Sequence, residues 1–289
     1  SDFTAAIVEV REKIDPRIRL IRMPERWGSA FGPRTKAMRA AKGEYVVCLD
    51  ADDYIEPDFL EKINQRICQT GADMVYCKML MIEDGRLVGQ IPREGFDSSM
   101  IMKGAEAGKL TLRELQIGAG GATMRREFAL AVLNKYDSSL RAMNADEIFT
   151  RYFLIEAATL AFCDARYFYR MLPTSVTHAL TPAYFDRLET NRMLRRLIDD
   201  AFGAGSHESD LAALHEYDHW IEYCIDYCRH ADVMGCHRAD IRRRLETARR
   251  NLQFSILRKE VPQLKYRLIR AGLTPFLWAM KLYLWSRGK

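Results

Sequence analysis

The sequence predicts an α/β fold, and three observations carry it. Short apolar runs suited to buried strands, Tyr45-Val46-Val47-Cys48-Leu49 and Met74 to Ile82, alternate with stretches whose apolar residues recur every three or four positions. The 289 residues are 48% hydrophobic, enough for a real core in one large domain or two modest ones. No repeat period is present and there are only nine prolines, which excludes disordered, collagenous and solenoid classes.

Taken in order, Ser1-Asp2-Phe3-Thr4 reads as the cap of a helix that carries Ile7, Val10 and Ile14 at helical spacing. Arg17-Ile18-Arg19-Leu20-Ile21-Arg22 alternates like a strand. Pro33 to Lys42 reads as a helix with a proline near its start and Gly43 past its end. The strand Glu44 to Leu49 follows, and Pro57 then opens a helix with Leu60, Ile63 and Ile67 on one face. A strand from Met74 to Ile82 runs into an Asp84-Gly85 turn.

Beyond Gly95 the pattern loosens. It contains helical pieces, a glycine-rich strand from Gly118 to Met124, a helix from about Asp146 to Ala157, and an apolar-aromatic strand pair ending at Tyr167-Phe168-Tyr169-Arg170. After Pro182 nearly everything reads as helix, with Ala201 to Ser206 as the linker candidate and Pro262 and Pro275 breaking the last helices. The expected division is an α/β domain over 1–182 and a helical, basic region over 183–289.

Charge separates the same two parts. Residues 238–289 hold 14 Lys and Arg against 3 Asp and Glu, a net +11, whereas residues 1–237 carry a net −6. A basic tail on an acidic body calls for an anionic partner. Within the tail, Trp278, Tyr283 and Trp285 stand among Lys281, Arg287 and Lys289, a mixture that suits an anionic membrane surface. A core helix with Arg242-Arg243-Arg244 as solvated surface accounts for the same residues. No apolar run reaches the ~20 residues of a spanning helix, and no signal peptide opens the chain. Seven scattered cysteines do not make a disulfide framework. The expected location is cytoplasmic, with peripheral attachment to the inner face of the cell membrane.

The sharpest chemical feature is Leu49-Asp50-Ala51-Asp52-Asp53, three carboxylates where a buried strand meets a loop. Ligands of open α/β sheets bind beyond the carboxyl ends of the strands. Crowded carboxylates repel one another unless a cation intervenes, and Mg²⁺ or Mn²⁺ takes one or two of them and completes its shell with phosphate oxygens. The same acids also suit a solvated cap for the helix near Pro57. His215, His219, Cys224, Cys228, His230, Cys236 and His237 crowd one helical region and invite a zinc assignment, but at 100° per residue His215 and His219 face away from Cys224 and Cys228, and one helix cannot gather all four. The Gly118 to Gly121 run lacks the ending of a phosphate loop, so close strand packing accounts for it.

Three further runs extend the acidic one: Gly28-Ser29-Ala30-Phe31-Gly32-Pro33-Arg34-Thr35-Lys36-Ala37, then Ala41 to Asp53, then Pro57-Asp58-Phe59-Leu60-Glu61 with Ala72-Asp73. Together they resemble the family 2 glycosyltransferases of the GT-A fold. The resemblance implies a GT-A nucleotide-diphospho-sugar transferase-like mixed sheet and an Asp-x-Asp loop that holds the donor diphosphate through a divalent metal. It makes Asp52 the first metal ligand, with Asp50 and Asp53 beside it. Asn144-Ala145-Asp146-Glu147 stands where the family carries the acid pair that holds the catalytic base, which implies Asp146 or, in the other register, Glu147. Ser175-Val176-Thr177-His178 is similar to the family's small-polar-plus-His element, making His178 a metal or diphosphate contact or else a solvated histidine. Arg34 and Lys36 are candidate phosphate or nucleotide contacts, or an exposed helix face.

Two features depart from the family. Thr35 replaces the usual Asn, and Arg26-Trp27-Gly28 replaces an Asn-x-Gly. The family's first strand, first helix and second strand find no counterpart, so the resemblance implies a chain lacking several tens of residues of its donor site. The implied reaction is inverting transfer from a nucleotide-diphosphate sugar to a glycan or lipid-linked acceptor, in bacterial surface polysaccharide assembly. A non-catalytic remnant and a basic polyanion binder are the alternatives. No motif for specific nucleic-acid recognition is present.

Overall fold

The computed structural model describes residues 3–25, 27–92, 97–112, 120–136, 141–142, 144–172, 181–230 and 234–287. Among these residues seven strands form one mixed sheet: β1 (Tyr45–Val47), β2 (Tyr54–Ile55), β3 (Met74–Glu83), β4 (Arg86–Ile91), β5 (Ile101–Met102), β6 (Ala122–Arg125) and β7 (Leu160–Arg170). The order is β1-β6-β3-β7-β2, with β4 added to β3 and β5 to β7. Among the described pairings β3 and β7 run parallel and the others antiparallel. The α/β class with a mixed sheet is therefore what the chain adopts.

Among the described residues twelve α-helices surround and extend the sheet: α1 (Thr4–Ile14), α2 (Phe31–Ala40), α3 (Phe59–Thr70), α4 (Gly104–Leu110), α5 (Arg126–Lys135), α6 (Ala145–Glu156), α7 (Arg187–Phe202), α8 (His207–Arg229), α9 (Arg238–Asn251), α10 (Phe254–Glu260), α11 (Gln263–Ala271) and α12 (Leu273–Ser286).

β3 lies at the centre because Met74, Val75, Tyr76 and Cys77 are apolar on both faces and both faces are covered. On one side α3 lays Phe59, Ile63 and Ile67 against Val75, Cys77 and Ala161. Leu60, expected on that stripe, is exposed, because the buried residues follow an i, i+4, i+8 row that starts at Phe59. On the other side α2, α4, α5 and α6 pack with Met74, Tyr76 and Phe162, and Leu194, Leu197 and Ile198 of α7 join the same cluster. A third cluster, away from the sheet, belongs to the helical region and is built around Trp220, whose indole N–H donates to the Leu245 carbonyl at 2.9 Å.

The Asp84-Gly85 turn forms as the sequence predicts. Both residues take positive φ, 48° and 76°, the geometry that joins two strands with matching twist. Other expectations are corrected. Residues 17–22 form no strand, since their polar groups find side chains and α2 instead of a ladder. The Leu20 amide donates to Glu12 at 3.1 Å, Arg19 to the Ala40 carbonyl at 3.3 Å, and Lys36 to the Arg22 carbonyl at 3.0 Å. The anticipated strand pair before Arg170 is one eleven-residue strand, β7, whose register against β3 shifts between Tyr76 and Lys78. Of the expected linker 201–206, residues 201 and 202 end α7 and only 203–206 make the tight connection to α8, with Gly203 and Gly205 at positive φ and Ser206 capping α8. Pro275 does not break a helix. It sits in the first turn of α12, where backbone amides have no intrahelical partner.

Candidate active site

β1 and β2 lie at opposite ends of the strand order, yet only residues 48–53 separate them in the chain. The connecting loop carries Asp50, Asp52 and Asp53 and is caught by β7. The Asp50 amide donates to the Tyr167 hydroxyl at 3.2 Å, and that hydroxyl donates to Asp53 Oδ2 at 2.7 Å. The Arg170 amide donates to Asp53 Oδ1 at 2.8 Å, and the Arg170 side chain reaches the Asp52 carbonyl. A 3.0 Å bond from the Asp53 amide to the Asp50 carbonyl closes the turn.

The glycines before β6 make room for this arrangement. A Cβ on Gly120 would stand 3.3 Å from the Tyr167 hydroxyl and 3.1 Å from Met79, and one on Gly121, at φ 77°, would meet the Cys77 sulfur at 2.5 Å. Close packing is thus the role of the described part of the glycine run; Gly118 lies outside the described residues.

Each acid has a distinct environment. Asp50 is gripped by Arg34 of α2, whose Nη2 lies 2.6 and 2.7 Å from its two oxygens. Asp53 is committed to Tyr167 and Arg170. Its proton affinity is raised by burial, against the lowering effect of those two hydrogen bonds. The Asp52 carboxylate is exposed and has no partner among the described residues.

Arg34 also reaches the second acidic element. Its Nη1 lies 3.7 Å from Asp146 Oδ2 and makes no hydrogen bond, although it is buried. Asp146 stands in the first turn of α6, half-buried, and burial raises its pKa above the ordinary carboxylate value while Arg34 opposes the shift. The low dielectric comes from a pocket lined by Phe31, Met38, Met74, Met124, Phe149 and Phe153, with Arg34 and Asp146 as its charged members. Glu147 faces elsewhere and pairs with Arg187 at the start of α7. A buried bond from Asn144 to the Thr190 hydroxyl, 2.7 Å, fixes the same two helix starts together.

The structure thus gathers Asp50, Asp52, Asp53, Arg34 and Asp146. It leaves Lys36 on the far side of α2, exposed and bonded to the Arg22 carbonyl. His178 lies outside the described residues. Sequence reasoning missed Tyr167, Arg170 and Arg187 as site-forming residues. A tyrosine placed among buried strand residues was the available signal, because its hydroxyl must find a polar partner.

The donor set suits a hard divalent ion that takes a single protein carboxylate and draws its remaining oxygens from a substrate, because Asp52 alone is uncommitted. Among the described residues no group of three His, Cys, Asp or Glu side chains forms a ready-made metal cage. His215 and Cys228 point to different neighbours: His215 Nδ1 lies 3.2 Å from the Leu112 carbonyl and the Cys228 sulfur 3.9 Å from the Leu277 carbonyl.

Residues 1–133 match the family model of glycosyl transferase family 2. Over this segment, a little under half of the chain, the sequence is similar to that family. TuaG of Bacillus subtilis strain 168, whose name assigns it to teichuronic acid biosynthesis as a glycosyltransferase, is 44% identical over 62 residues, 22% of this chain and 24% of TuaG. The succinoglycan biosynthesis protein ExoO of Rhizobium meliloti strain 1021 is 33% identical over 87 residues, 30% of this chain and 24% of ExoO. The matched stretches thus span about a quarter of these curated relatives' own length. The fold extends further: the crystal structure of S. aureus TarS 1-349 in complex with UDP-GlcNAc superposes with a TM-score of 0.70 at 17% identity, over all of this chain and 80% of that one.

Proposed function

We propose that this protein transfers a sugar, with inversion, from a nucleotide-diphosphate sugar to a glycan or lipid-linked acceptor of polysaccharide assembly. The observation that carries the reading is the reach of Arg34 from Asp50 to Asp146, which sets the acidic loop and a half-buried carboxylate around one guanidinium. The UDP-GlcNAc named with the TarS structure supports a UDP-sugar as the donor to try first.

Asp146 acts as the general base. It takes the proton of the acceptor hydroxyl as that oxygen attacks the anomeric carbon, and the bond from that carbon to the diphosphate breaks with its electron pair on the departing oxygen. A carboxylate whose proton affinity is raised by burial removes that proton better than a solvated one. Asp52 would hold a Mn²⁺ or Mg²⁺ ion, which when bound supplies Lewis-acid neutralisation of the diphosphate. Arg34, charged and buried, adds fixed positive charge at the same place. Residues 1–182 form the transferase domain and 183–289 a helical region docked against it. The protein works in the cytoplasm, peripherally attached to the anionic inner face of the cell membrane.

The test is release of nucleoside diphosphate and labelled sugar transfer across a panel of nucleotide sugars, with and without Mn²⁺. Metal-stimulated turnover of at least one donor is expected. Absence of both donor binding and turnover across the panel would overturn the proposal.

A further inference from the structure

Helix α12 is apolar on two opposite faces, and among the described residues only one of them is covered. Leu273, Phe276, Leu277 and Leu284 are buried in the helical cluster, where the Phe276 ring lies 4.9 Å from that of Trp220. Directly opposite at 100° per residue, Trp278, Leu282 and Trp285 follow an i, i+4, i+7 row and are 67%, 60% and 81% exposed. A helix that is hydrophobic all round is ordinarily covered all round.

The helices that carry and adjoin this stripe are rich in positive charge. Lys281 is exposed at the stripe's edge, Arg287 sits over the Tyr283 ring at 5.5 Å, and Arg242 of α9 bonds the Thr274 hydroxyl at the head of the helix, 2.6 Å. Arg258, Lys259 and Arg267 on the neighbouring helices are exposed and make no ion pair among the described residues. The whole segment 238–289 carries +11, so a second copy of this chain would bring like charge to the same place. An anionic bilayer supplies what both features lack: negative headgroups for the cations, and an interface in which indole rings settle at headgroup depth.

We propose that the Trp278-Leu282-Trp285 face of α12 is a docking surface that lays this helix flat in the interface of an anionic membrane. The helix does not span. Its 14 residues measure about 21 Å at 1.5 Å each, short of the roughly 30 Å hydrocarbon core, and among the described residues no helix is long and apolar enough to cross. This assignment rests on the membrane-surface reading above and adds to it the residues that enter the lipid.

The test is flotation of the intact chain with vesicles of phosphatidylcholine and phosphatidylglycerol, against phosphatidylcholine alone, at low and high salt. Binding to the anionic vesicles is expected, weakened by salt, together with quenching of tryptophan fluorescence by brominated acyl chains. The double variant Trp278→Ser, Trp285→Ser should bind at least roughly tenfold more weakly while keeping its circular dichroism, melting temperature and donor affinity, because both rings are exposed. No binding by the intact chain at low salt would overturn the membrane reading itself. Undiminished binding by the double variant would overturn only the assignment to this face. A dimer in sedimentation that the double variant abolishes would assign the stripe to a second copy instead.

Discussion

The Arg187 guanidinium, in the first turn of α7, closes an ion pair on Glu147, one residue along α6 from Asp146. The pair gives Glu147 a structural partner and leaves Asp146 turned toward Arg34 and the acidic loop. Asp146→Asn should therefore lower turnover by ~10² to 10⁴ with donor affinity nearly unchanged, whereas Glu147→Gln should cost far less. Because burial raises the Asp146 pKa, the acid limb of the rate profile should lie above 3.8 and vanish in any residual activity of the Asn variant. Steady-state rates against pH for both variants decide the matter, and an inactive Glu147→Gln beside a normal Asp146→Asn would reverse the assignment.

Asp52 is exposed and uncommitted, so Asp52→Asn removes a charge without disturbing a hydrogen bond. The unfolding free energy should stay within about 0.5 kcal/mol of the parent's. Calorimetric titration of nucleoside diphosphate should lose its Mn²⁺ dependence. Unchanged metal-dependent affinity would remove Asp52 from the site.

Tyr167 holds the loop through one hydroxyl that both accepts from Asp50 and donates to Asp53. Tyr167→Phe keeps the buried ring and deletes both bonds, at a cost of about 1 to 3 kcal/mol. Donor affinity should fall with stability, because the acids lose their common anchor. A variant that melts and binds donor like the parent would show that Arg34 and Arg170 suffice to hold the loop.

Glu216 of α8 is nearly fully buried, 3.2 Å from Arg195, and burial pushes its carboxyl up to about 7. Arg195 and Arg192 oppose the shift, and Glu189 and Asp199 add to it. The folded chain then holds this proton more tightly than the unfolded chain, where 4.5 is the ordinary value. The stability this residue contributes is full below 4.5 and is lost as pH rises through 7, on the order of 3 kcal/mol in all. Urea unfolding at several pH values should show that slope in the parent and its loss in Glu216→Gln. Parallel curves would refute the burial argument.

The α/β class, the acidic loop and the helix bearing Asp146 were legible in the sequence because each is written locally, in a periodicity or a run of neighbouring residues. What was not legible is contact between distant segments. Tyr167 meets Asp50 and Asp53 across 117 and 114 positions, and Arg187 meets Glu147 across 40. The alternation at 17–22 misled for a related reason: a strand is made by a neighbour, and this segment's amides and carbonyls found side chains. The separate faces of α12 follow from helical geometry, but which face the protein itself covers depended on where Trp220 would come to lie.

The loop of residues 48–53 is tied at both ends, to β1 on one margin of the sheet and to β2 on the other, and pinned between them by Tyr167. It behaves as a taut strap of fixed length rather than a free surface connection. Most loops absorb an added or deleted residue at small cost, but here a change of one residue must either drag β2 out of register with Phe168 and Tyr167 or lift the acids off their anchor. Its reward is that the acids' backbone is already ordered before any donor arrives, so little conformational freedom is left to surrender on binding.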